Sequence, residues 1–331
     1  MRIAFFKQED MDKKRIQSQL SGHHVEFFHE PLSTENVSAV HDYEIISVFL
    51  VSKIDKEILE KMPKLKLIAT ASTGFDHIDV AECKKRNIVV CNVPFYGNNT
   101  VAEHTFALIL SLSRNIVKAY QKTLQHDHTI KGLEGVDIRG KTLGVIGTGN
   151  IGLHVIHIAK AFGMKVLAFD VHPNISLADI LGFRYVSFEE LLANSDVVTI
   201  HVPYNQHTHH LINRETIRQM KKGALLINTS RGNIVDSEAL IEGLDNHVLS
   251  GVGLDVIEGE ELIKEEQQIL YDPAKLEVLG ELAKDHLLLS KDHVVFTPHI
   301  GFYSKEAVER LFETNLQNIL SFLEGTPQNV V

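Results

Sequence analysis

Residues 142–152, TLGVIGTGNIG, set an apolar run directly against three glycines in the spacing G-x-G-x-x-G. Glycines alone mark turns of many kinds. Here Leu143, Val145 and Ile146 before the turn are strand formers, and Ile151, Val155, Ile158, Ala159 and Phe162 after it recur at the period of one helix face. Gly163 ends that helix, and KVLAF supplies a returning strand with Asp170 at its tip, 18 residues after Gly152. The stretch is a complete βαβ unit of the kind that cradles a dinucleotide. Gly147 makes the tight turn, Gly149 lets the backbone approach a pyrophosphate, and Gly152 lets helix and strand pack closely. The pyrophosphate charge meets free N–H groups at the positive end of the helix. Asp170 can accept from both adenosine ribose hydroxyls and repels a 2′-phosphate, and DVHPN offers no Arg or Lys to neutralise one. NAD is therefore expected over NADP. The alternative is a generic doubly wound turn or a nucleoside site of the methyltransferase kind.

The rest of the chain alternates in the same way. Strands are expected at 2–6, 25–28, 45–50, 67–71 and 88–91, with helix-like DMDKKRIQSQL and DKEILEKM between them. A second run has strands at 143–146, 165–169, 196–202, 224–228, 251–255 and 294–296, and a last helix over 305–323. Strand–helix alternation argues for parallel sheets covered on both faces, an α/β class. Between the runs, NNTVAEHTFALILSLSRNIVKAYQ reads as one long helix, with Thr100 as N-cap and Glu103 completing a capping box. Residues 260–291 are charged and helical in pattern and read as an insertion or lid.

At 331 residues the chain suits two domains or one large α/β unit. Its net charge of −10 argues against a nucleic-acid surface. FALILSL is far short of the roughly 20 residues a bilayer span needs, and MRIAFFKQED reads as a first strand with no signal peptide. Cys83 and Cys91 give neither a disulfide framework nor a metal spacing, so a cytoplasmic protein is expected. HTHH at 207–210 lacks acidic or cysteine partners at ligand spacing, and a solvated loop is expected there with no metal.

In an open parallel sheet, ligands lie beyond the carboxyl ends of the strands. Four segments put reactive side chains there: INTSRG ends with Arg231, GLDVIEGE with Asp255 and then Glu260, FTPHIG with His299, and HVPYNQHT follows another strand. An arginine, a carboxylate and a histidine so placed are what hydride transfer to a 2-oxo acid needs. The guanidinium grips the substrate carboxylate. Histidine delivers or removes the hydroxyl proton, and a carboxylate beside it fixes its tautomer and keeps it protonated. Composition does not choose among Glu258, Glu260 and Glu261.

With STGFDHID, NVPFYGNNTVAEHTFAL, GTGNIG, HVP, NTSRG, VDSEAL, GLDV and TPHIG in this order, the chain resembles the D-isomer-specific 2-hydroxyacid dehydrogenases. The resemblance implies two flavodoxin/Rossmann-like doubly wound parallel-sheet domains with the active cleft between them. The substrate domain would be about 1–99 plus 300–331, and the NAD-binding domain 100–299. It implies Arg231, Glu260 and His299 as the catalytic set, Glu260 being chosen by its place five residues beyond Asp255. It also implies that Asn150, Ile151, Asp170, Val202, Pro203, Thr208, Thr229, Ser230, Arg231 and Asp255 line the coenzyme, together with Gly147, Gly149 and Gly152. Thr73 and Gly74 amides and Arg231 would hold the substrate carboxylate, with Tyr96 nearby. Phe302 and Tyr303 are similar to the aromatic pair of the D-lactate-forming members and imply an apolar wall for a small alkyl group. Pyruvate to D-lactate is thus favoured. Glycerate, glyoxylate or phosphoglycerate are the alternatives, the last wanting a basic cluster in the outer domain; Lys84, Lys85 and Arg86 are adjacent but read as a solvated helix end. With 32 residues after His299, the C-terminal regulatory domain of many phosphoglycerate-oxidising members is not expected. A homodimer through the coenzyme domains is implied. A rival of another class is an NAD-sensing, partner-binding relative of the co-repressor kind.

Overall fold

Central strands such as Thr142–Ile146, Val197–Ile200 and Ala224–Asn228 are buried along almost their whole length, so they need cover on both faces. A computed structural model describes residues 1–7, 13–260 and 276–331, the side chains of 276–282 excepted. It consists of two compact units, Met1–Gly97 with Tyr303–Val331, and Asn98–Phe302.

The first unit holds β1 (Arg2–Phe6), β2 (His24–Phe28), β3 (Ile45–Val48), β4 (Leu67–Thr70) and β5 (Val89–Cys91). They form a parallel sheet in the order β2-β1-β3-β4-β5. Alternate residues feed two cores: Ala4, Phe6, Ile46 and Val48 on one face, Ile3, Phe5 and Ile45 on the other. The Lys305–Leu323 helix covers the second face with Leu316 and Ile319. Its buried Asn315 and Asn318 donate to Ser47 Oγ at 2.7 Å and the Asn92 carbonyl at 2.8 Å, which ties the end of the chain to the unit where it began.

The second unit holds β6 (Thr142–Ile146), β7 (Lys165–Phe169), β8 (Arg184–Tyr185), β9 (Val197–Ile200), β10 (Ala224–Asn228), β11 (Leu249–Leu254) and β12 (Val294–Phe296). The order is β12-β11-β10-β9-β6-β7-β8, again with parallel pairing. Val145, Val197, Leu225 and Ile227 enter one core, and Ile146, Val198, Leu226 and Leu254 the opposite one. The protein is two α/β domains, each wound on both faces of a parallel sheet.

Three local expectations change. The long helix is two, Asn98–Ser113 and Ile116–Leu124, broken where Asn115 takes a left-handed conformation (φ 51°). The cause is tertiary: the Ser113 carbonyl accepts from Val136 at 2.8 Å, and Asn115 Nδ2 donates to the Glu134 carbonyl at 3.0 Å. Thr100 is not an N-cap, because the helix begins at Asn98 and Thr100 is buried in its first turn. The two-residue edge strand β8 carries no periodicity that could announce it. The compact units divide after Gly97 and after Phe302, and Asp255 binds the amides of Ile300 and Gly301 within the second unit. Of the expected lid over 260–291, residues 261–275 lie outside the described residues, and Leu276–Leu289 form a helix. Among the described residues no helix is long and apolar enough to cross a membrane.

Candidate active site

The glycine loop joins β6 to the Asn150–Ala161 helix. Gly147 has φ +93°, and a Cβ there would lie 2.5 Å from the His201 carbonyl oxygen, so both backbone and space require glycine. A Cβ on Gly152 would lie 2.0 Å from the Gly147 carbonyl oxygen. Gly149 caps the helix, and a Cβ there would meet nothing within 4 Å. Two of the glycines are thus demanded by the fold, whereas the third borders open space where helix amides lack intrahelical partners. Asn150 is exposed beside it, and Ile151 packs on the core.

Asp170, just beyond β7, accepts from Thr148 N at 2.7 Å, Thr148 Oγ1 at 2.9 Å and His172 N at 2.9 Å. Burial works against its charge, but these bonds prevail and hold the carboxyl below its ordinary value. Tyr185 OH, 2.7 Å from Thr148 Oγ1, completes the chain. The open face at Gly149, the helix amides and an ionised Asp170 fit an adenosine diphosphate with a free ribose 2′-hydroxyl. Thr148 and Tyr185 escaped sequence reasoning, since only the fold brings them to Asp170.

The neighbouring loops are tied to this one. Ser230 Oγ donates to the Val202 carbonyl, Thr208 Oγ1 to the Pro203 carbonyl at 2.8 Å, and Thr229 Oγ1 lies 3.1 Å from Thr105 Oγ1. His201 N donates to Ile146 O at 2.7 Å. His201 is partly exposed as a residue, yet loss of hydration around its ring pushes the imidazole down to about 3.

Strands β10, β11 and β12 are neighbours in parallel register, Asn228 beside Leu254 and Leu254 beside Phe296. Their carboxyl ends therefore share one rim, and Arg231, Asp255 with Glu260, and His299 follow from them. Arg231 lies in a turn where Asn228 Nδ2 donates to its carbonyl at 2.9 Å. A Cβ on Gly232 would lie 2.1 Å from the Ile257 carbonyl oxygen, so the loop after β11 rests directly on that turn. His299 Nδ1 lies 2.8 Å from Glu260 Oε1, and both side chains are largely covered. Glu258 meets His210 instead, at 2.7 Å, and Glu261 lies outside the described residues. The rings of His299 and Phe302 meet edge to face, with centroids 6.4 Å apart.

Asp255 is 2% exposed. It accepts from Thr297 Oγ1 at 2.6 Å, Ile300 N at 2.9 Å and Gly301 N at 2.7 Å, with His104 Nε2 at 3.3 Å, while its own carbonyl accepts from His299 N at 2.8 Å. Its carboxylate thus holds the turn that presents His299, which sits in the left-handed region at φ 55°. His104, 2.9 Å from Thr297 Oγ1, is the other member of this cluster that the sequence did not single out.

The remaining expected residues lie in the first unit. Ser72 Oγ donates to Gly74 O at 2.6 Å, Thr73 Oγ1 to Val93 O at 2.7 Å, and Asn92 Nδ2 to Thr73 O at 2.8 Å. These bonds fix the Thr73–Gly74 turn through its carbonyls and leave its amides as donors. Tyr96 is buried, its carbonyl accepting from Arg310 Nε at 2.8 Å, and Tyr303 is exposed.

Residues 106–301 match the family model described as D-isomer specific 2-hydroxyacid dehydrogenase, NAD binding domain. The chain is 34% identical over 330 residues to the D-lactate dehydrogenase of Escherichia coli (strain K12), covering 98% of each. It is 35% identical over 328 residues to an aromatic 2-oxoacid reductase of Clostridium sporogenes, covering 97% of this chain and 96% of the relative. The crystal structure of D-lactate dehydrogenase from Aquifex aeolicus, complexed with NAD and lactic acid, superposes with a TM-score of 0.90 at 38% identity, over 98% of this chain and 96% of that one. With its glycine cradle, its Asp170 and these matches, the chain belongs to the D-isomer-specific 2-hydroxyacid dehydrogenases, NAD-dependent oxidoreductases of D-2-hydroxy acids.

Proposed function

We propose that the protein reduces a small 2-oxo acid to its D-2-hydroxy acid, with pyruvate to D-lactate as the leading pair. The observation that carries this reading is the His299–Glu260 pair at 2.8 Å, on the strand rim that also carries Arg231. Gly147, Gly149, Asn150, Ile151 and Gly152 would hold the pyrophosphate of NADH and Asp170 its ribose, and the coenzyme would supply the hydride for the carbonyl carbon. Val202, Pro203, Thr208, Thr229 and Ser230 would border the same coenzyme.

The chain's own groups do the rest. The Arg231 guanidinium grips the substrate carboxylate as a fork and orients the carbonyl. Glu260 occupies His299 Nδ1 and so fixes the ring's orientation, which leaves Nε2 to hand its proton to the carbonyl oxygen as charge develops there. Asp255 steadies the turn beneath that ring. In the first unit the Thr73 and Gly74 amides are a donor set suited to a carboxylate, and Tyr96 and Tyr303 are aromatic candidates there for the substrate side chain; Phe302 belongs to the second unit, against His299.

A second reading has an aromatic 2-oxo acid as substrate. Phe75 and Phe95, next to Gly74 and Tyr96 in the chain, are 39% and 66% exposed and would suit a ring-bearing side chain. Rates of NADH oxidation with pyruvate, glyoxylate, hydroxypyruvate and phenylpyruvate, at one concentration, decide between them. Pyruvate is expected to lead; a lead for phenylpyruvate would move the substrate, and no turnover with any acid and either coenzyme would end the enzymatic reading.

We also place the protein in the cytoplasm as a homodimer. Both cysteines are buried free thiols, and burial pushes each up to about 11, which suits a reducing compartment. The dimer contact is assigned to the Ile116–Leu124 helix, whose Ile116, Tyr120 and Leu124 form an exposed apolar stripe at four-residue spacing.

A further inference from the structure

Glu258 stands two residues before Glu260 and makes an acid–imidazole contact of its own, Oε1 lying 2.7 Å from His210 Nε2. Two such pairs, His210–Glu258 and His299–Glu260, therefore hang from alternate residues of one loop. Neither carboxylate gripping nor proton delivery calls for the first.

The other bonds of His210 show what it does. Its backbone N–H donates to the Asn233 carbonyl at 3.0 Å, two residues beyond Arg231. Ile212 N then donates to Ile234 O at 3.1 Å, and Asp236 N to Ile212 O at 2.9 Å, a short parallel bridge alongside the Arg231 turn. Through its main chain His210 is bonded to the segment of Arg231, and through its ring to the segment of Glu260. Those segments also touch directly at Gly232 and Ile257. His210 holds a left-handed φ of 47°, which a β-carbon resists, and Asn213 Nδ2 supports that turn by donating to the His210 carbonyl at 3.0 Å. The ring stacks on His209 with centroids 4.0 Å apart, a second restraint on its direction.

We propose that His210, with Glu258 as its partner, is a positioning residue that keeps the Arg231 turn and the Glu260 loop in register with each other. The inference rests on the reading of Arg231 and Glu260 given above. A displacement of about 1 Å between such groups can cost about 100-fold in rate.

Three substitutions test it. H210N keeps a side chain that tolerates the left-handed backbone but does not reach Glu258, H210Q restores a donor at longer reach, and E258A removes the acceptor. With the oxo acid the parent reduces best, H210N and E258A are expected to lower kcat by about 10- to 100-fold. They should raise the KM for the oxo acid and leave NADH binding within about twofold. The double variant should fall no further than the worse single one, and H210Q should recover most of the loss. Without any substrate, hydrogen exchange of H210N should quicken over 229–236 and 256–260 and stay at parent rates over β6 and β9. Parent values of kcat and KM in both H210N and E258A overturn the proposal, even with a lowered Tm, and so does unchanged exchange in those two segments. A parent that turns over no oxo acid sinks the reading of the site, and the exchange experiment still decides whether His210 joins the two segments.

Discussion

His299 occupies a backbone region that costs a residue with a β-carbon about 1–2 kcal/mol. Asp255 offsets this with charge-assisted bonds worth roughly 1.5–3 kcal/mol each, so the strained turn is held by the residue beneath it. His299→Gln should lower kcat by about 10²- to 10⁴-fold while leaving NADH binding near the parent value; an unchanged kcat removes His299 as the proton donor. Burial raises the Asp255 carboxyl, but its bonds to His104, Thr297 and Gly301 prevail and hold it below the ordinary carboxylate range. A depressed carboxylate contributes stability that is complete above its unfolded value near about 4 and disappears as pH falls through its lower folded value. Urea melts of Asp255→Asn should therefore show lower stability at neutral pH and a flatter acid limb below about pH 4. An acid limb identical to the parent's would refute this. His201 acts in a different window. Its folded imidazole stays neutral down to about 3, whereas the unfolded chain takes up the proton below about 6.5. Stability then falls with pH between those values, at a limiting slope of about 1.4 kcal/mol per unit. His201→Gln should make that slope shallower, and the same melts measure it.

Among elements, the glycine loop separates what the fold needs from what the coenzyme needs. Gly149→Ala adds a methyl group where the protein offers no obstacle, at a position whose φ of −68° alanine accepts. It should leave the Tm of the free protein within about 2 °C and weaken NADH binding at least about tenfold, because the methyl stands where a pyrophosphate would approach. Gly152→Ala drives a Cβ into the Gly147 carbonyl and should lower the Tm even without coenzyme. Equal effects of the two on Tm would refute the division of roles. The broken helix at Asn115 teaches the opposite lesson. Nothing within residues 98–124 forbids a continuous helix; the break follows from Val136 and Glu134 claiming the groups around its end.

For the whole molecule, the order in which the chain builds its units matters. The first unit is completed only when the Lys305–Leu323 helix returns to it, so its buried Ser47–Asn315 contact joins residues from the two ends of the chain. The apolar stripe of Ile116, Tyr120 and Leu124 belongs to the second unit and has no cover among the described residues. If the proposed homodimer forms through this stripe, a double substitution, Ile116→Glu with Tyr120→Glu, should give a folded monomer in sedimentation velocity where the parent gives a dimer. A parent that already sediments as a monomer would refute the dimer, and a variant that remains a dimer would place the contact elsewhere.

What the amino-acid sequence determined by itself is local and periodic. The βαβ turn with Asp170 at its end and most strands follow from spacing and hydropathy, because each is settled within a few tens of residues by backbone sterics and the need to cover both faces of a sheet. Motifs in a fixed order carry the family as well. What only the tertiary structure decided is partnership. Composition could not say which of three glutamates meets His299, and folding joined Glu260 to it across 39 residues while sending Glu258 to His210. The Thr148–Tyr185 relay to Asp170 and the hold of Asp255 on Gly301 likewise join residues far apart in the chain. Hydrogen bonds and ion pairs act over about 3 Å of space, and separation along the chain does not enter their energy.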